Sequence, residues 1–254
     1  MTILVTRPSP AADELVSRLR TRGQVAWAFP LIEFTPGTQL DTLPGRLRSL
    51  AAGDLVFILS QHAIHYAQPA LSAAGTTWPA NLNYYAIGRT TALALHAVSG
   101  HNVVWPHEQE ISEVLIQLPA LQAVVGKRAL ILRGNGGREL LAETLLARGA
   151  QVEFIECYQR CEKHYHGAEE GRRWRNCGID TLVVTSGEML QQLYQLFPDI
   201  DRDEWLLHCR LVVVSERLAT LARELGWANI CVAGGADNDA LLRAIPLPGR
   251  TDFA

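Results

Sequence analysis

The stretch ILRGNGGRELL, residues 131–141, places three glycines and two arginines between an apolar run and an amphipathic run. This order is typical of a buried strand that turns into a helix. The same order of features occurs near the start of the chain, in LVTRPSPAADEL, residues 4–15. The two stretches therefore predict one strand–turn–helix unit that the chain uses twice.

The whole chain aligns with itself when it is shifted by 126 residues without a gap. Few residues are identical, but those that match mark the starts and ends of predicted elements. The matched pairs are Leu4 with Leu130, Arg7 with Arg133, Leu15 with Leu141, Gly23 with Gly149, Asp54 with Asp180, Ser60 with Ser186, Leu95 with Leu221 and Gly100 with Gly226. Because a repeat of this length is an ordinary domain size, we interpret the chain as an internal duplication.

Within each repeat, short apolar runs alternate with amphipathic helical patterns. Runs such as LVFIL (55–59) and LVVVS (211–215) lack strict alternation, which is typical of parallel strands buried on both faces. The predicted fold class is α/β, with two similar doubly wound parallel-sheet domains. Two details belong to this prediction: VAWAFPLIEF (25–34) forms one strand, and Ser9 and Pro10 cap and open the first helix.

Composition excludes several classes of partner and site. A net charge of −3 gives no general attraction to nucleic acid or to an anionic membrane. No segment approaches the roughly 18 apolar residues that span a bilayer, and no basic-then-apolar leader precedes the first strand. Five cysteines without CxxC spacing support neither a disulfide framework nor a zinc site. We expect a protein of the reducing cytoplasm that binds no metal.

Six turns at the carboxyl ends of predicted strands carry the candidate site residues. Parallel sheets bind ligands at this edge, where helix-start N–H groups favour anions. Hydroxyl side chains there could equally be ordinary N-caps, and a glycine-rich turn that only needs positive φ could explain residues 133–137. Arginine suits carboxylates and phosphates. The candidates for substrate binding are Arg7, Ser60, Gln61, Arg89, Thr90, Arg133, Gly134, Arg138, Thr185, Ser186, Gly187, Ser215 and Arg217.

Motifs for other chemistries are absent from the sequence. Glu139 stands where the dinucleotide fingerprint needs its third glycine, and no phosphate loop, GxSxG or HExxH motif occurs. His62 and His65 share a predicted helix face, but without a third ligand we interpret them as solvated or capping side chains. Cys157 and Cys161 are expected to be unreactive residues of a strand.

Five stretches, in this order and spacing, resemble the enterobacterial type of the uroporphyrinogen-III synthase family. They are residues 3–34 (ILVTRPSPAADELVSRLRTRGQVAWAFPLIEF), 86–95 (AIGRTTALAL), 131–141 (ILRGNGGRELL), 183–193 (VVTSGEMLQQL) and 213–226 (VVSERLATLARELG). The resemblance implies a cofactor-free, monomeric lyase of tetrapyrrole biosynthesis that follows porphobilinogen deaminase, with transient contact between the two. It would cyclise linear hydroxymethylbilane with loss of water and inversion of the last pyrrole ring, which gives uroporphyrinogen III.

The resemblance also implies how the domains are divided. The family fold has two α/β domains joined by a two-stranded connector, with a cleft between them, and its first segment belongs with the C-terminal part. We therefore expect residues 1–35 with 161–254 as one domain and residues 36–160 as the other. The connector strands are expected near 30–38 and 156–163.

One side chain is assigned a chemical role by this resemblance. Tyr158, in ECYQR, matches the family's tyrosine that is proposed to assist departure of the hydroxyl. Ser60, Thr185 and Ser186 match hydroxyl-bearing turns that face the family's cleft. The turn at residues 214–217 departs from the Gly-Pro-Thr-Thr-like pattern of many relatives, so Ser215 or Arg217 would have to substitute there.

Two alternatives stay open from the residues alone. Tyr158 could be a packed tyrosine of a connector strand. The chain could also be a two-domain module that binds or senses a tetrapyrrole or another small anion without turnover, because duplicated α/β domains occur in such proteins as well.

Overall fold

The computed structural model describes residues 1–137 and 139–246. Within this part of the chain, eleven strands account for the sheets. They are β1 (Thr2–Val5), β2 (Val25–Ala28), β3 (Ile32–Pro36), β4 (Leu55–Ile58), β5 (Asn83–Ala86), β6 (Val103–Val104), β7 (Arg128–Gly134), β8 (Gln151–Glu162), β9 (Thr181–Val184), β10 (Arg210–Val213) and β11 (Ile230–Val232).

Eleven α-helices lie between these strands in the described residues. They are α1 (Ala11–Thr21), α2 (Leu43–Ser49), α3 (Gln61–Ala73), α4 (Arg89–Ser99), α5 (Ser112–Leu115), α6 (Leu140–Ala147), α7 (Gly167–Asn176), α8 (Gly187–Leu196), α9 (Asp199–Glu204), α10 (Glu216–Glu224) and α11 (Asn238–Ala244). Helix α4 ends as the sequence predicts, because Gly100 takes the left-handed conformation with φ of 73° at its C-terminus.

The chain forms two compact units. Unit 1 comprises Met1–Glu33 and the chain from Cys161, and unit 2 comprises Phe34–Arg160. The sheet of unit 1 has the order β11-β10-β9-β1-β2, and all its neighbours are parallel. The second sheet has the order β3-β8-β7-β4-β5-β6. Within it, the five neighbouring strands β8, β7, β4, β5 and β6 are parallel. The predicted α/β class with parallel sheets is confirmed.

The duplication is visible in the strand order. Each strand in the order β6-β5-β4-β7-β8 has a counterpart one repeat away in the chain. For β4, β5 and β6 the counterpart lies about 126 residues later, and for β7 and β8 about 126 residues earlier. Replacing each strand by its counterpart gives the order β11-β10-β9-β1-β2. The five-stranded sheet takes two strands from the first repeat and three from the second, whereas the six-stranded sheet takes two from the second repeat and four from the first. Residues that meet at the edge of one sheet come from distant parts of the chain.

Both faces of each sheet are covered. In β4, Val56 and Ile58 pack into one hydrophobic cluster, whereas Leu55 and Phe57 pack into another on the opposite face. This alternation explains why the strand sequences are continuously apolar.

Several predicted elements are wrong in detail. Residues 25–34 form two strands rather than one: the Phe29 and Leu31 N–H groups donate to the carbonyls of Val5 and Thr6, and Pro30 has no N–H to continue a ladder. Ser9 does not cap α1, which begins at Ala11. The apolar spacing of residues 112–121 predicts one helix, but α5 stops at Leu115 and a 3₁₀ turn follows at residues 119–121. Helices α2, α7 and α9 are not predicted by the sequence patterns.

Strand β8 contains a bulge that changes the direction of one side chain. Arg133 of β7 pairs with Glu156, but the next residue, Gly134, pairs with Tyr158, so Cys157 is the extra residue. Phe154 packs into one hydrophobic cluster, and by the two-residue period of a strand Tyr158 would lie on the same face. Instead Tyr158 packs with Cys157 against the cluster on the opposite face.

The loop after β3 holds this bulge. The Gly37 N–H donates to the Cys157 carbonyl at 2.9 Å, and the Glu156 N–H donates to the Gln39 side chain at 3.1 Å. Thr38 donates its hydroxyl to the Glu156 carboxylate at 3.1 Å. A Cβ on Gly37 would collide with the backbone of Glu156 and Cys157, so only glycine allows this approach.

We expect Gly37→Ala to lower the free energy of unfolding by roughly 1–3 kcal/mol, because the added methyl must push the loop off the bulge. Gly45→Ala is the matched control, since the space around this helical glycine is open and the change should raise stability by about 0.5–1 kcal/mol. Urea unfolding of both variants tests this. Equal stability of Gly37→Ala and the parent protein would show that the loop does not constrain the bulge.

Candidate functional site

The phenol of Tyr158 is the centre of the candidate site in unit 2. The Ser60 hydroxyl donates a hydrogen bond to the Tyr158 oxygen at 2.9 Å. The phenol ring lies against Gly134, where a Cβ would come within 2.6 Å of a ring carbon. Strand β7 therefore needs glycine at this position to let the ring lie flat against its backbone.

Ser60 has a structural task as well. It is the N-cap of α3, with extended φ and ψ of −157° and 160°, and its hydroxyl oxygen accepts from the Ala63 N–H at 3.3 Å. Both interpretations of the predicted hydroxyl turn thus describe one residue: Ser60 caps the helix and contacts the tyrosine. Gln61 follows it as the first, exposed residue of the helix.

Three aromatic rings surround Tyr158 in unit 2. Phe34 approaches edge-on with centroids 5.7 Å apart, Tyr66 is stacked at 6.2 Å, and His62 lies at 5.6 Å. The His62 ring is also stacked on Phe34 at 4.0 Å with an interplanar angle of 24°. These contacts leave Tyr158 half-buried in one preferred orientation.

His62 is a site residue that the sequence interpretation missed. It is half-buried against Phe34, so its interpretation as a solvated or capping side chain is wrong. Burial lowers the pKa of His62 below its ordinary value of 6.5, and repulsion from His65 adds to this. The signal was present as the aromatic pair His62 and Tyr66, four residues apart on one helix face.

A cavity of about 340 Å³ opens beside Tyr158 in unit 2, lined also by Arg133, Gly134, Ile87 and Glu110. The Arg133 guanidinium lies 3.9 Å from the centre of the Phe154 ring and forms a 2.8 Å ion pair with Glu139. The cavity therefore has a cation at its wall, and a carboxylate of the chain already contacts it.

The start of α4 is occupied in a similar way. The Arg89 N–H donates to the Glu110 carboxylate at 3.0 Å, and a side chain on Gly88 would collide with that carboxylate. Arg89 and Thr90 themselves are exposed. This helix start thus binds a carboxylate, as the sequence argument expects of an anion site, but the carboxylate belongs to the chain.

Unit 1 contains a separate cavity of about 880 Å³ at the carboxyl ends of β9 and β10. Two of its hydroxyls are N-caps: Ser186 accepts from the Met189 N–H at 3.2 Å, and Ser215 accepts from the Leu218 N–H at 3.3 Å. The cavity brings together five predicted site residues, namely Thr185, Ser186, Gly187, Ser215 and Arg217. Arg217 is exposed and, within the described residues, has no ion-pair partner.

Arg7 lines neither of these cavities. Arg7 donates from Nη1 to the Ala236 carbonyl at 3.0 Å and to the Asn238 side chain at 2.8 Å, both in unit 1. Arg138 lies outside the described residues.

Residues 1–137 and 139–246 hold neither a candidate metal site nor a helix that could span a membrane. They contain no cluster of three or more histidine, cysteine or carboxylate side chains placed to hold a metal ion. None of their helices combines the length and the apolar character that crossing a bilayer requires.

Comparison with known proteins identifies the family. The family model described as Uroporphyrinogen-III synthase HemD matches residues 13–243. The chain belongs to the uroporphyrinogen-III synthase family. The match includes each predicted site residue except Arg7.

Two curated members of this family are similar over nearly the whole chain, and both are named uroporphyrinogen-III synthase. The protein of Salmonella typhimurium strain LT2 is 66% identical over 245 residues, which is 96% of this chain and 100% of that protein. The protein of Escherichia coli strain K12 is 65% identical over the same shares.

Solved structures of the family share the fold. A mutant uroporphyrinogen III synthase from the extremely thermophilic bacterium Thermus thermophilus superposes with a TM-score of 0.58 at 17% identity, covering 96% of this chain and 97% of that chain. The Helicobacter pylori 26695 uroporphyrinogen-III synthetase gives 0.54 at 19% identity, with shares of 95% and 96%. At these identities the similarity concerns the fold alone.

The lowered pKa of His62 predicts a pH dependence of stability. As pH falls through 6.5 towards the lower folded value, the unfolded chain binds a proton that the folded chain does not, so the free energy of unfolding decreases. His62→Phe keeps the stack on Phe34 and should show a smaller decrease over this window. Urea unfolding at a series of pH values measures it.

His208→Gln is the matched control, because His208 is exposed and lies in the other unit. If the free energy of unfolding changed with pH equally in His62→Phe, His208→Gln and the parent protein, burial of His62 would not disfavour its protonation.

Proposed function

We propose that the chain catalyses the reaction for which its relatives are named, the formation of uroporphyrinogen III. The substrate is linear hydroxymethylbilane, and the enzyme acts as a cofactor-independent lyase that expels water, inverts the terminal pyrrole ring and closes the macrocycle. The observation that supports this most directly is 65–66% identity to two curated synthases over their whole length.

The chemistry suits a site without metal or nucleophile. The carbinol C–O bond breaks, the hydroxyl takes up a proton and leaves as water, and the electron-rich pyrrole stabilises the resulting azafulvene cation. Inversion requires that the substituted α-carbon of the terminal pyrrole attacks this cation and that the bond from that carbon to its original methylene then breaks, which gives a second azafulvene cation. The free α-carbon of the same ring attacks the second cation and loses its proton. The protein must orient the chain, select the attacking carbon and protect the cation from water.

Tyr158 is proposed as the proton donor to the departing hydroxyl. It is half-buried, it borders a cavity, and its ring is fixed by Gly134, Ser60 and three aromatic neighbours. A cation formed there would also lie near electron-rich ring faces, which attract positive charge.

The substrate carries eight carboxylates, and the proposed partners for them are the helix starts and arginines at the carboxyl edges of the sheets. In unit 1 the best-placed group is Arg217, an exposed cation beside two capped helix starts. In unit 2 it is Arg133, which would exchange Glu139 for a substrate carboxylate.

We further propose that the protein acts as a monomer in the cytoplasm and meets porphobilinogen deaminase only transiently. Its five cysteines are all free, which suits a reducing compartment.

A coupled assay tests the activity. Porphobilinogen is supplied to porphobilinogen deaminase with and without the protein, the products are oxidised, and the uroporphyrin isomers are separated. Because the free bilane closes spontaneously to isomer I, a shift to isomer III without added cofactor supports the proposal. Persistence of isomer I with folded protein would instead favour a module that binds or senses tetrapyrroles.

Tyr158→Phe should reduce kcat for isomer III formation by about 10²-fold, because a positioned proton donor is removed while the ring and its packing remain. Tyr194→Phe, a half-buried tyrosine of unit 1, is the matched control and should retain the parent rate. The coupled assay measures both rates, and thermal unfolding verifies that both variants fold. An unchanged kcat in Tyr158→Phe would remove the phenol from the mechanism.

A further inference from the structure

We propose that Ser60 is a positioning residue that acts through Tyr158: it holds the phenol oxygen and directs the phenol proton towards the substrate. This inference rests on the proposed function and refines it. The sequence predicts that the hydroxyl-bearing turn at Ser60 contacts the substrate, whereas in the structure the Ser60 hydroxyl contacts the tyrosine.

The two hydrogen bonds of Ser60 run in one direction, from the Ala63 N–H through the Ser60 hydroxyl to the Tyr158 oxygen. A serine hydroxyl has one hydrogen to donate and two lone pairs that accept. The Ala63 N–H donates to the Ser60 oxygen at 3.3 Å, and the Ser60 hydroxyl donates to the Tyr158 oxygen at 2.9 Å. The phenol oxygen is then the acceptor in this pair, so its own hydrogen is free for another partner.

The same chain of bonds makes the phenol a better proton donor. The Ala63 N–H belongs to the first turn of α3, where unsatisfied N–H groups carry partial positive charge. Hydrogen bonds in series polarise one another, so Ser60 transmits this charge to the phenol oxygen. When the proton passes to the leaving hydroxyl, the phenolate keeps a donor. The proton lost by the attacking pyrrole ring can then restore the phenol.

The other repeat shows that capping by itself does not require this contact. Ser186 is the counterpart of Ser60 and caps α8 in the same way. The counterpart of Tyr158 is Ile32, which is buried and has no hydroxyl. The second hydrogen bond of Ser60 therefore exists in the unit that has Tyr158, and it meets no structural need that the two units share.

Three replacements of Ser60 separate its two tasks. Ser60→Thr keeps the hydroxyl and the cap, Ser60→Gly removes the hydroxyl but costs the cap little, and Ser60→Ala removes both. We expect Ser60→Gly and Ser60→Ala to lower kcat by roughly tenfold with KM changed less than about twofold, and Ser60→Thr to retain most of kcat. The coupled isomer assay at varied substrate gives kcat and KM.

A double-mutant cycle with Tyr158→Phe shows whether Ser60 acts through the phenol. If it does, Ser60→Gly should have no further effect on the residual rate of Tyr158→Phe. Equal losses in both backgrounds, or an increase of KM at unchanged kcat, would overturn the proposal in favour of a structural or substrate-binding role. If the residual rate of Tyr158→Phe is too low to measure, the kcat values of Ser60→Gly and Ser60→Thr test the proposal instead, and equal values would overturn it.

Failure of this inference is distinguishable from failure of the proposed function. Formation of isomer III by the parent protein depends only on the function. If the parent protein forms isomer III and Ser60→Gly matches it in kcat, the function stands and the role of Ser60 is rejected.

Discussion

The candidate site depends on the bulge at Cys157. If β8 paired in regular register without the bulge, its two-residue period would place the Tyr158 ring on the opposite face of the sheet, away from Ser60, His62 and Phe34. The bulge interrupts a regular ladder, so other groups must satisfy its backbone, and the Gly37 N–H meets the Cys157 carbonyl. Two glycines thus allow the position of Tyr158: Gly37 packs closely against the bulge, and Gly134 leaves room for the ring.

The electrostatics of the two units differ at their helix starts. In unit 2, carboxylates of the chain contact both the start of α4 and the Arg133 guanidinium. In unit 1, Arg217 lies exposed beside the starts of α8 and α10, whose N–H groups are capped by neutral serines. In unit 2, a polycarboxylate would therefore have to displace carboxylates of the chain. In unit 1 it would have no such carboxylate to displace, so the net gain in binding free energy per carboxylate should be larger there.

The hybrid composition of the sheets explains why the site joins residues far apart in sequence. Ser60 follows β4 of the first repeat, whereas Tyr158 lies on β8 of the second, and they meet because β7 of the second repeat pairs with β4. The self-alignment of the sequence predicts that the repeats share elements. It does not predict which strand pairs with which, because that depends on hydrogen bonds between distant segments.

The sequence by itself determined the α/β class, the order of most strands and helices, and the turns that carry Ser60, Thr185, Ser186 and Ser215, because apolar periodicity and capping residues act over a few neighbouring positions. Only the tertiary structure decided the break in residues 25–34, the burial of His62 and the orientation of Tyr158. Each of these follows from contacts between segments that local sequence patterns do not encode: Phe29 and Leu31 with the end of β1, His62 with Phe34, and Gly37 with the bulge of β8.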